Sequence, residues 1–286
     1  MSSRIFHLSM LESDMVMHMI IMIILLIIII GYTPLQKRNY TISSSKITQD
    51  IKICVLSDLH GTSHGKHQKK LAQMIIQQQP DMILYVGDMI DERCHLQELE
   101  DLLKEVSHIP SYFVLGNHEV TSGQLQSFLD FMDTYHVQRV SQKKIKITVS
   151  SNDIILCGID DYYSFYRQNG NDHIQEFYDQ YQHLLSHHND HYTILLSHRP
   201  SFYQLYQDSL YDLVVCGHAH GGQWRIPYLL NGLYAPDESL FPQHAGGQYH
   251  LKKGYMIVSR GLVKNMIPRF FNPPECVFVT LKNQHD

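Results

Sequence analysis

Ile51-Lys52-Ile53-Cys54-Val55-Leu56-Ser57-Asp58-Leu59-His60-Gly61 sets the reading of this chain. Ile51 to Leu56 is an apolar run rich in β-branched residues and reads as a strand, and it stops at a cluster of polar residues and glycine. The same design then recurs. Gln68 to Gln79 has helical spacing, Met82 to Val86 is strand-like, Leu96 to Val106 helical, Tyr112 to Leu115 strand-like and Gln124 to Tyr135 helical. This alternation is the βαβ rhythm of an α/β fold. The second half changes character. Ile145 to Val149 and Ile154 to Cys157 resemble a hairpin around Ser150-Ser151-Asn152-Asp153, and later runs such as Tyr192 to Leu196 and Leu213 to Cys216 are strand-like. Two sheets packed face to face, with helices outside, accommodate both halves.

Working outward toward the amino terminus, residues 1–14 form a short leading segment, and Met15 to Gly31 is an apolar run interrupted only by His18. About 17 residues is the short limit for a helix crossing a bilayer. No small-x-small cleavage site follows, so residues 15–32 are expected to be an uncleaved, single-pass anchor in the cell membrane, of undecided orientation. Residues 33–50 read as a linker with the serine run Ser43-Ser44-Ser45, and residues 51–286 as one catalytic-sized domain.

Composition narrows the partners. A net charge of -5 disfavours electrostatic nucleic-acid binding. Cys54, Cys94, Cys157, Cys216 and Cys276 are odd in number and widely spaced, and read as buried free thiols. The region from Tyr162 to Tyr192, with His183, His187, His188 and His191, reads as a polar helix face and loop.

Five strand-like runs end in chemistry. Ser57-Asp58-Leu59-His60 follows the first, Gly87-Asp88-Met89-Ile90-Asp91 the second, Gly116-Asn117-His118-Glu119 the third, Ser197-His198-Arg199-Pro200 the fourth and Gly217-His218-Ala219-His220-Gly221-Gly222 the fifth. In α/β sheets ligands bind beyond the carboxyl ends of the strands, where all of these side chains emerge. One H-x-H means little in a chain with 20 histidines. Five such ends delivering carboxylate, amide and imidazole donors suit a pair of divalent ions such as manganese, iron, zinc or cobalt better than calcium, which prefers oxygen throughout.

In this order, D-x-H, G-D-x-x-D, G-N-H-E, S-H and G-H-x-H, the chain from about Lys52 to Leu281 resembles the calcineurin-like metallophosphoesterases. Gly232-Leu233-Tyr234-Ala235-Pro236, Ser259-Arg260-Gly261-Leu262, Ile267-Pro268-Arg269 and Asn272-Pro273-Pro274-Glu275 are similar to the membrane-associated YkuE and YaeI-like branch. The resemblance implies an α/β/β/α sandwich and a dinuclear metal site. It places Asp58, His60 and His220 on one ion, Asn117, His198 and His218 on the other, Asp88 between them, and His118 beside the substrate as an acid or charge stabiliser. Arg93 stands one position later than the arginine of many members and is left without a role; Val263-Lys264 replaces a glycine common in the family.

Two cations about 3.5–4 Å apart can activate a shared water and neutralise phosphate charge. The expected activity is therefore metal-dependent hydrolysis of a phosphodiester or pyrophosphate, with UDP-2,3-diacylglucosamine-type glycolipid precursors as the substrate class the branch suggests. Leu262, Val263, Met266, Ile267, Phe270 and Phe271, interleaved with Lys264 and Arg269, read either as a lipid-facing loop or as one packed on its own core, and Trp224, Tyr228 and Tyr234 as core or pocket residues. A phosphomonoesterase and a non-catalytic interaction module on the same fold are the alternatives. Oligomeric state is not encoded in any of these features.

Overall fold

The computed structural model describes residues 14–22, 33–93, 96–165, 173–185, 190–264 and 268–284. Its strands are β1 (Gln36–Ser44), β2 (Ile51–Leu56), β3 (Met82–Val86), β4 (Ser111–Val114), β5 (Gln138–Arg139), β6 (Lys143–Val149), β7 (Asn152–Ile159), β8 (Tyr192–Ser197), β9 (Leu213–Cys216), β10 (Tyr234–Ala235), β11 (Ser239–Leu240), β12 (Gly247–His250), β13 (Tyr255–Val258) and β14 (Glu275–Asn283). They form two six-stranded sheets, ordered β1-β14-β2-β3-β4-β5 and β12-β13-β9-β8-β7-β6, and a small β10-β11 ribbon.

The pleat explains the layering. In β2, Ile51, Ile53 and Val55 enter the core shared by the two sheets, while Cys54 and Leu56 point to the opposite face. That outer face is covered by α1 (Lys69–Gln78), α2 (Leu96–Val106) and, beyond the short α3 (Asn117–Thr121), α4 (Leu125–Thr134), through Leu71, Ile75, Leu99, Leu103, Phe128 and Met132. A third core lies on the far side of the second sheet, where Phe177, Tyr181 and Leu184 of α5 (His173–Leu185) meet Ile155, Leu195 and Val214. The result is the expected mixed α/β sandwich of two sheets flanked by helices.

Parallel pairing matters for function. β2, β3 and β4 run parallel, as do β7, β8 and β9, so each set gathers its carboxyl ends along one edge. The two edges are joined: Asp161 N–H donates to Leu115 O at 2.9 Å and Leu262 N–H to Ser57 O at 3.0 Å. The expected hairpin is present, with β6 and β7 antiparallel from Lys143↔Gly158 to Val149↔Asn152.

One expectation needs correction. Residues 33–50 are no linker: β1 pairs parallel with β14 from Gln36↔Glu275 to Ser44↔Asn283, and Leu35, Ile42 and Ile47 are buried. The domain therefore begins well before Ile51. Among the described residues no helix is long and apolar enough to cross a membrane. Residues 14–22 are helical, with Met15 and Met22 each 68% exposed, and the rest of the expected anchor, 23–32, lies outside the described residues. Cys54, Cys157, Cys216 and Cys276 are buried free thiols as expected; Cys94, His187 and His188 lie outside the described residues.

Candidate metal centre

Three of the five motifs turn sharply as their strands end. Asp58, His60, Asp88, His218 and His220 all adopt φ between 45° and 64°, a left-handed conformation that costs about 1–2 kcal/mol in residues with a Cβ. Backbone bonds hold these turns: Asp58 N–H donates to Gly87 O at 3.0 Å and His60 N–H to Asp88 O at 3.2 Å. Close approach explains the glycines. A Cβ on Gly87, whose φ is 82°, would sit 2.5 Å from His198 Nδ1.

The turns bring the donors together. Asp58, His60 and His220 form one cluster, His60, Asp88 and His118 a second, and Asp88, His198 and His218 a third, with the offered atoms of each cluster within 4.8 Å of one another. Asp88 is completely buried, with Oδ2 3.1 Å from His198 Nε2 and 3.7 Å from His60 Nε2. The His60 ring stands 4.6 Å from that of His118 and 5.3 Å from that of His220. Asn117 opens α3 beside this group. Thus all eight residues singled out in the sequence lie at one edge of the sandwich.

Charge and tautomer are set by the surroundings. His198 Nδ1–H donates to Val86 O at 2.7 Å, which turns Nε2 toward Asp88. Burial works against a charged His198, but the Asp88 carboxylate, with Asp58 and Asp161, raises it to about 10. Burial likewise opposes ionisation of Asp88, yet His198, His60 and His118 hold it well below the usual carboxylate range. His220 is lowered to about 3 by burial, and His60 is lowered for the same reason. Burial thus favours neutral His60 and His220, and neutral imidazole is the form that ligates a cation, whereas at His198 a cation would have to displace a proton.

A fit to metal is visible in the bonds that are missing. Asp88 Oδ2, Asn117 Oδ1, His60 Nε2, His118 Nδ1 and His220 Nδ1 are buried without hydrogen-bond partners. Such atoms are costly to desolvate unless something else pairs with them. The donor set, two carboxylates, one amide oxygen and imidazole nitrogens, suits divalent transition ions.

Residues 51–222 match the profile of the calcineurin-like phosphoesterases. The chain belongs to this calcineurin-like phosphoesterase family. An uncharacterized metallophosphoesterase of Helicobacter pylori is 27% identical over 244 residues, covering 78% of this chain and 62% of the relative, so the chain spans about three-fifths of that protein. The Bacillus subtilis metallophosphoesterase YkuE is 25% identical, covering 87% of this chain and 86% of its own length. A bovine transmembrane protein with a metallophosphoesterase domain is 27% identical, covering 76% of this chain and 52% of the relative. Among solved structures, a dimetal phosphatase from Danio rerio superposes with a TM-score of 0.50 at 12% identity, covering 80% of this chain and 91% of that one. That likeness speaks for the fold.

The candidate site is held by further buried groups that sequence reasoning did not assign. Glu119 is buried and accepts hydrogen bonds from the N–H groups of Asp88, Met89, Ile90 and Gly116. Gly116-x-x-Glu119 at the start of α3 is a capping-box spacing, a signal that was available in the sequence. Asp237 Oδ2 lies 3.2 Å from His218 Nε2. Arg199 is buried between Asp161 and Asp237 and pairs with both. No local pattern announces Asp237, which arrives from the ribbon after β10.

Of the segment expected as a lipid-facing or a core-packed loop, Leu262, Val263 and Arg269 pack inward. Leu262 and Val263 are buried, and Arg269, 3% exposed, donates to the carbonyls of Gly261, Val263, Arg260 and His220. Its guanidinium has more donors than any single carbonyl can satisfy and binds the loop to itself. Lys264 and Phe271 remain exposed; Met266 and Ile267 lie outside the described residues. Of Trp224, Tyr228 and Tyr234, expected as core or pocket residues, none is core: they are 41%, 107% and 51% exposed, and Tyr228 lines a surface cleft.

Proposed function

We propose that this phosphoesterase hydrolyses phosphodiester or pyrophosphate bonds with a dinuclear metal centre. Asp58, His60 and His220 would hold one ion and Asn117, His198 and His218 the other, with Asp88 between them. The observation that carries the reading is Asp88, a buried carboxylate shared by two of the ligand clusters, with Oδ2 lacking a hydrogen bond. Two divalent cations held there would supply Lewis-acid charge and lower the pKa of a water. The chain does the rest. Neutral Asn117 adds an oxygen donor without further negative charge, and Glu119 fixes the Asp88 turn. His118, whose ring packs edge-on against His60, is placed to hold a proton near the leaving oxygen.

The opening beside the clusters favours a diester. It is a shallow cavity of about 290 Å³ edged by Thr62, Arg93, Val263 and Lys264, and an open site leaves room for a substituent on each side of phosphorus. The cationic Arg93 and Lys264 at its edge favour the second reading, a monoester with its additional negative charge. Residues 15–32 would anchor the chain as a single-pass segment in the cell membrane, and the substrate would be lipid-linked, of the UDP-2,3-diacylglucosamine type suggested by the YkuE-like branch. The apolar run of residues 15–31 supports the anchor.

Metal-stripped protein reloaded with manganese and assayed on bis-p-nitrophenyl phosphate and p-nitrophenyl phosphate tests the reading. Diester turnover in excess of monoester turnover is expected. Monoester turnover alone would favour the phosphatase, and turnover of neither, with no metal retained, would favour a non-catalytic interaction module.

A further inference from the structure

A cleft of about 810 Å³ opens away from the eight metal-site residues, none of which lines it. Three arginines converge there from distant parts of the chain: Arg38 from β1, Arg225 after the G-H-x-H turn, and Arg260 after β13. One carboxylate faces them. Glu275 is 1% exposed, and its Oε2 lies 3.5 Å from Arg38 Nε and 3.4 Å from Arg260 Nε. Those two Nε atoms and Glu275 Oε2 are buried without a proper hydrogen bond. Arg225 has only neutral partners, Asn231 Oδ1 and Gly221 O, and no acidic partner at ion-pair distance among the described residues. Three guanidinium groups against one carboxylate leave the cleft strongly positive, and guanidinium forks match the oxygens of a phosphate.

The rim has the opposite chemistry. Ile226, Tyr228, Leu229 and Phe271 are 49%, 107%, 85% and 47% exposed. Contiguous exposed apolar side chains around a charged cleft mark a surface that something covers. The wall also contains Thr33 and Pro34, the residues that follow the apolar run of residues 15–31. A bilayer holding that run would bring its headgroups to this cleft, with the apolar rim at the depth of the upper acyl chains.

We infer that this cleft binds the phosphate of an anionic phospholipid and docks the domain on the bilayer surface through Arg38, Arg225 and Arg260. The inference rests on the anchor reading of residues 15–32 and is independent of the hydrolytic reading.

Trp224 is the only tryptophan of the chain and lies one residue before Arg225, held by a 2.8 Å bond from Nε1 to Pro268 O. It reports on the surroundings of Arg225, which lines the cleft. The full chain is reconstituted with vesicles of phosphatidylcholine alone, or of phosphatidylcholine with phosphatidylglycerol, each carrying a headgroup-level quencher. Trp224 quenching is expected to be at least threefold stronger with phosphatidylglycerol. Arg38→Gln with Arg225→Gln should reduce it to the phosphatidylcholine level, and Tyr228→Ser with Leu229→Ser, which removes exposed side chains and no core, should weaken it. Melting temperature and turnover of bis-p-nitrophenyl phosphate verify that each variant is folded. Equal quenching on both vesicles, or quenching untouched by either double variant, would overturn the docking and leave the anchor standing. Association with neither vesicle would overturn both. Release of Trp224 from the anionic vesicles by inorganic phosphate at concentrations below that of the lipid would assign the cleft to a free phosphate and overturn the lipid reading.

Discussion

Glu119 Oε2 accepts the Asp88 backbone N–H at 2.8 Å, while the Asp88 side chain accepts His118 N–H through Oδ1 at 2.9 Å. The second and third motifs are therefore locked in both directions. Glu119 is pushed up to about 7 by burial and by the Asp88 carboxylate, against the amides that favour its ionised form. Its place beneath the turn makes it a positioning residue.

Glu119→Gln should expose that role. The amide side chain replaces one acceptor oxygen with a donor, and since each oxygen accepts two of the four backbone N–H groups, two are left unpaired. A loss of about 1–3 kcal/mol in unfolding free energy is expected. Retained metal, measured by elemental analysis after dialysis, should fall along with it. Unchanged melting and unchanged metal content would show that the turn holds without Glu119.

Asp237 should act through His218. The carboxylate faces His218 Nε2 at 3.2 Å, while His218 Nδ1 lies 3.2 Å from His198 Nε2. Asp237 and Arg199 Nη1, the latter at 3.1 Å, both meet His218 at Nε2 and so fix the ring with Nδ1 facing the site. Asp237→Asn is expected to weaken metal affinity by about 10–100-fold, the usual penalty for losing such an orienting carboxylate. Calorimetric titration of the metal-free chain reads this directly, and equal affinities would remove Asp237 from the site.

The amino-terminal boundary offers a stability test. Leu35, Ile42 and Ile47 are 6%, 3% and 1% exposed, and each buried side chain of this kind contributes about 1.5–3 kcal/mol. A chain started at Ile51 should melt well below one started at Thr33, or fail to remain monomeric, because β14 loses its parallel partner and becomes an open edge. Equal melting temperatures would make β1 dispensable.

His64 predicts a pH dependence. It is 1% exposed, its Nε2–H donates to Leu262 O at 2.7 Å, and burial lowers it to about 4. A base depressed below an unfolded value of about 6.5 stabilises the fold fully above that pH, and the contribution is lost as pH falls toward 4. In metal-free protein the stability advantage of wild type over His64→Gln should therefore shrink by about 2 kcal/mol between pH 7.5 and pH 5. A constant difference in urea melts at the two values would contradict a buried neutral His64.

Particular residues show why some of this was legible in the sequence. Asp58, Asp88, Asn117, His198 and His218 each follow an apolar run that is continuous enough to be a strand, so local pattern alone gathers them at one edge. β1 has no such pattern. Its burial alternates weakly, only Ile42 is fully inside, and its partner β14 is the last strand of the chain. Arg269 reads as a surface charge from composition, yet it is an internal clamp because its partners are backbone carbonyls, which carry no sequence signal. Asp237 reaches His218 from another loop, a pairing set entirely by tertiary structure.

In the proposed hydrolytic centre Asp88 joins two metal positions. Metal content and bis-p-nitrophenyl phosphate turnover, measured together on manganese-loaded wild type and Asp88→Asn, test it most directly. Wild type is expected to hold about two ions per chain and to turn the diester over, with turnover lost by at least about two orders of magnitude and fewer ions retained in Asp88→Asn. Full activity in the variant at saturating metal would contradict it.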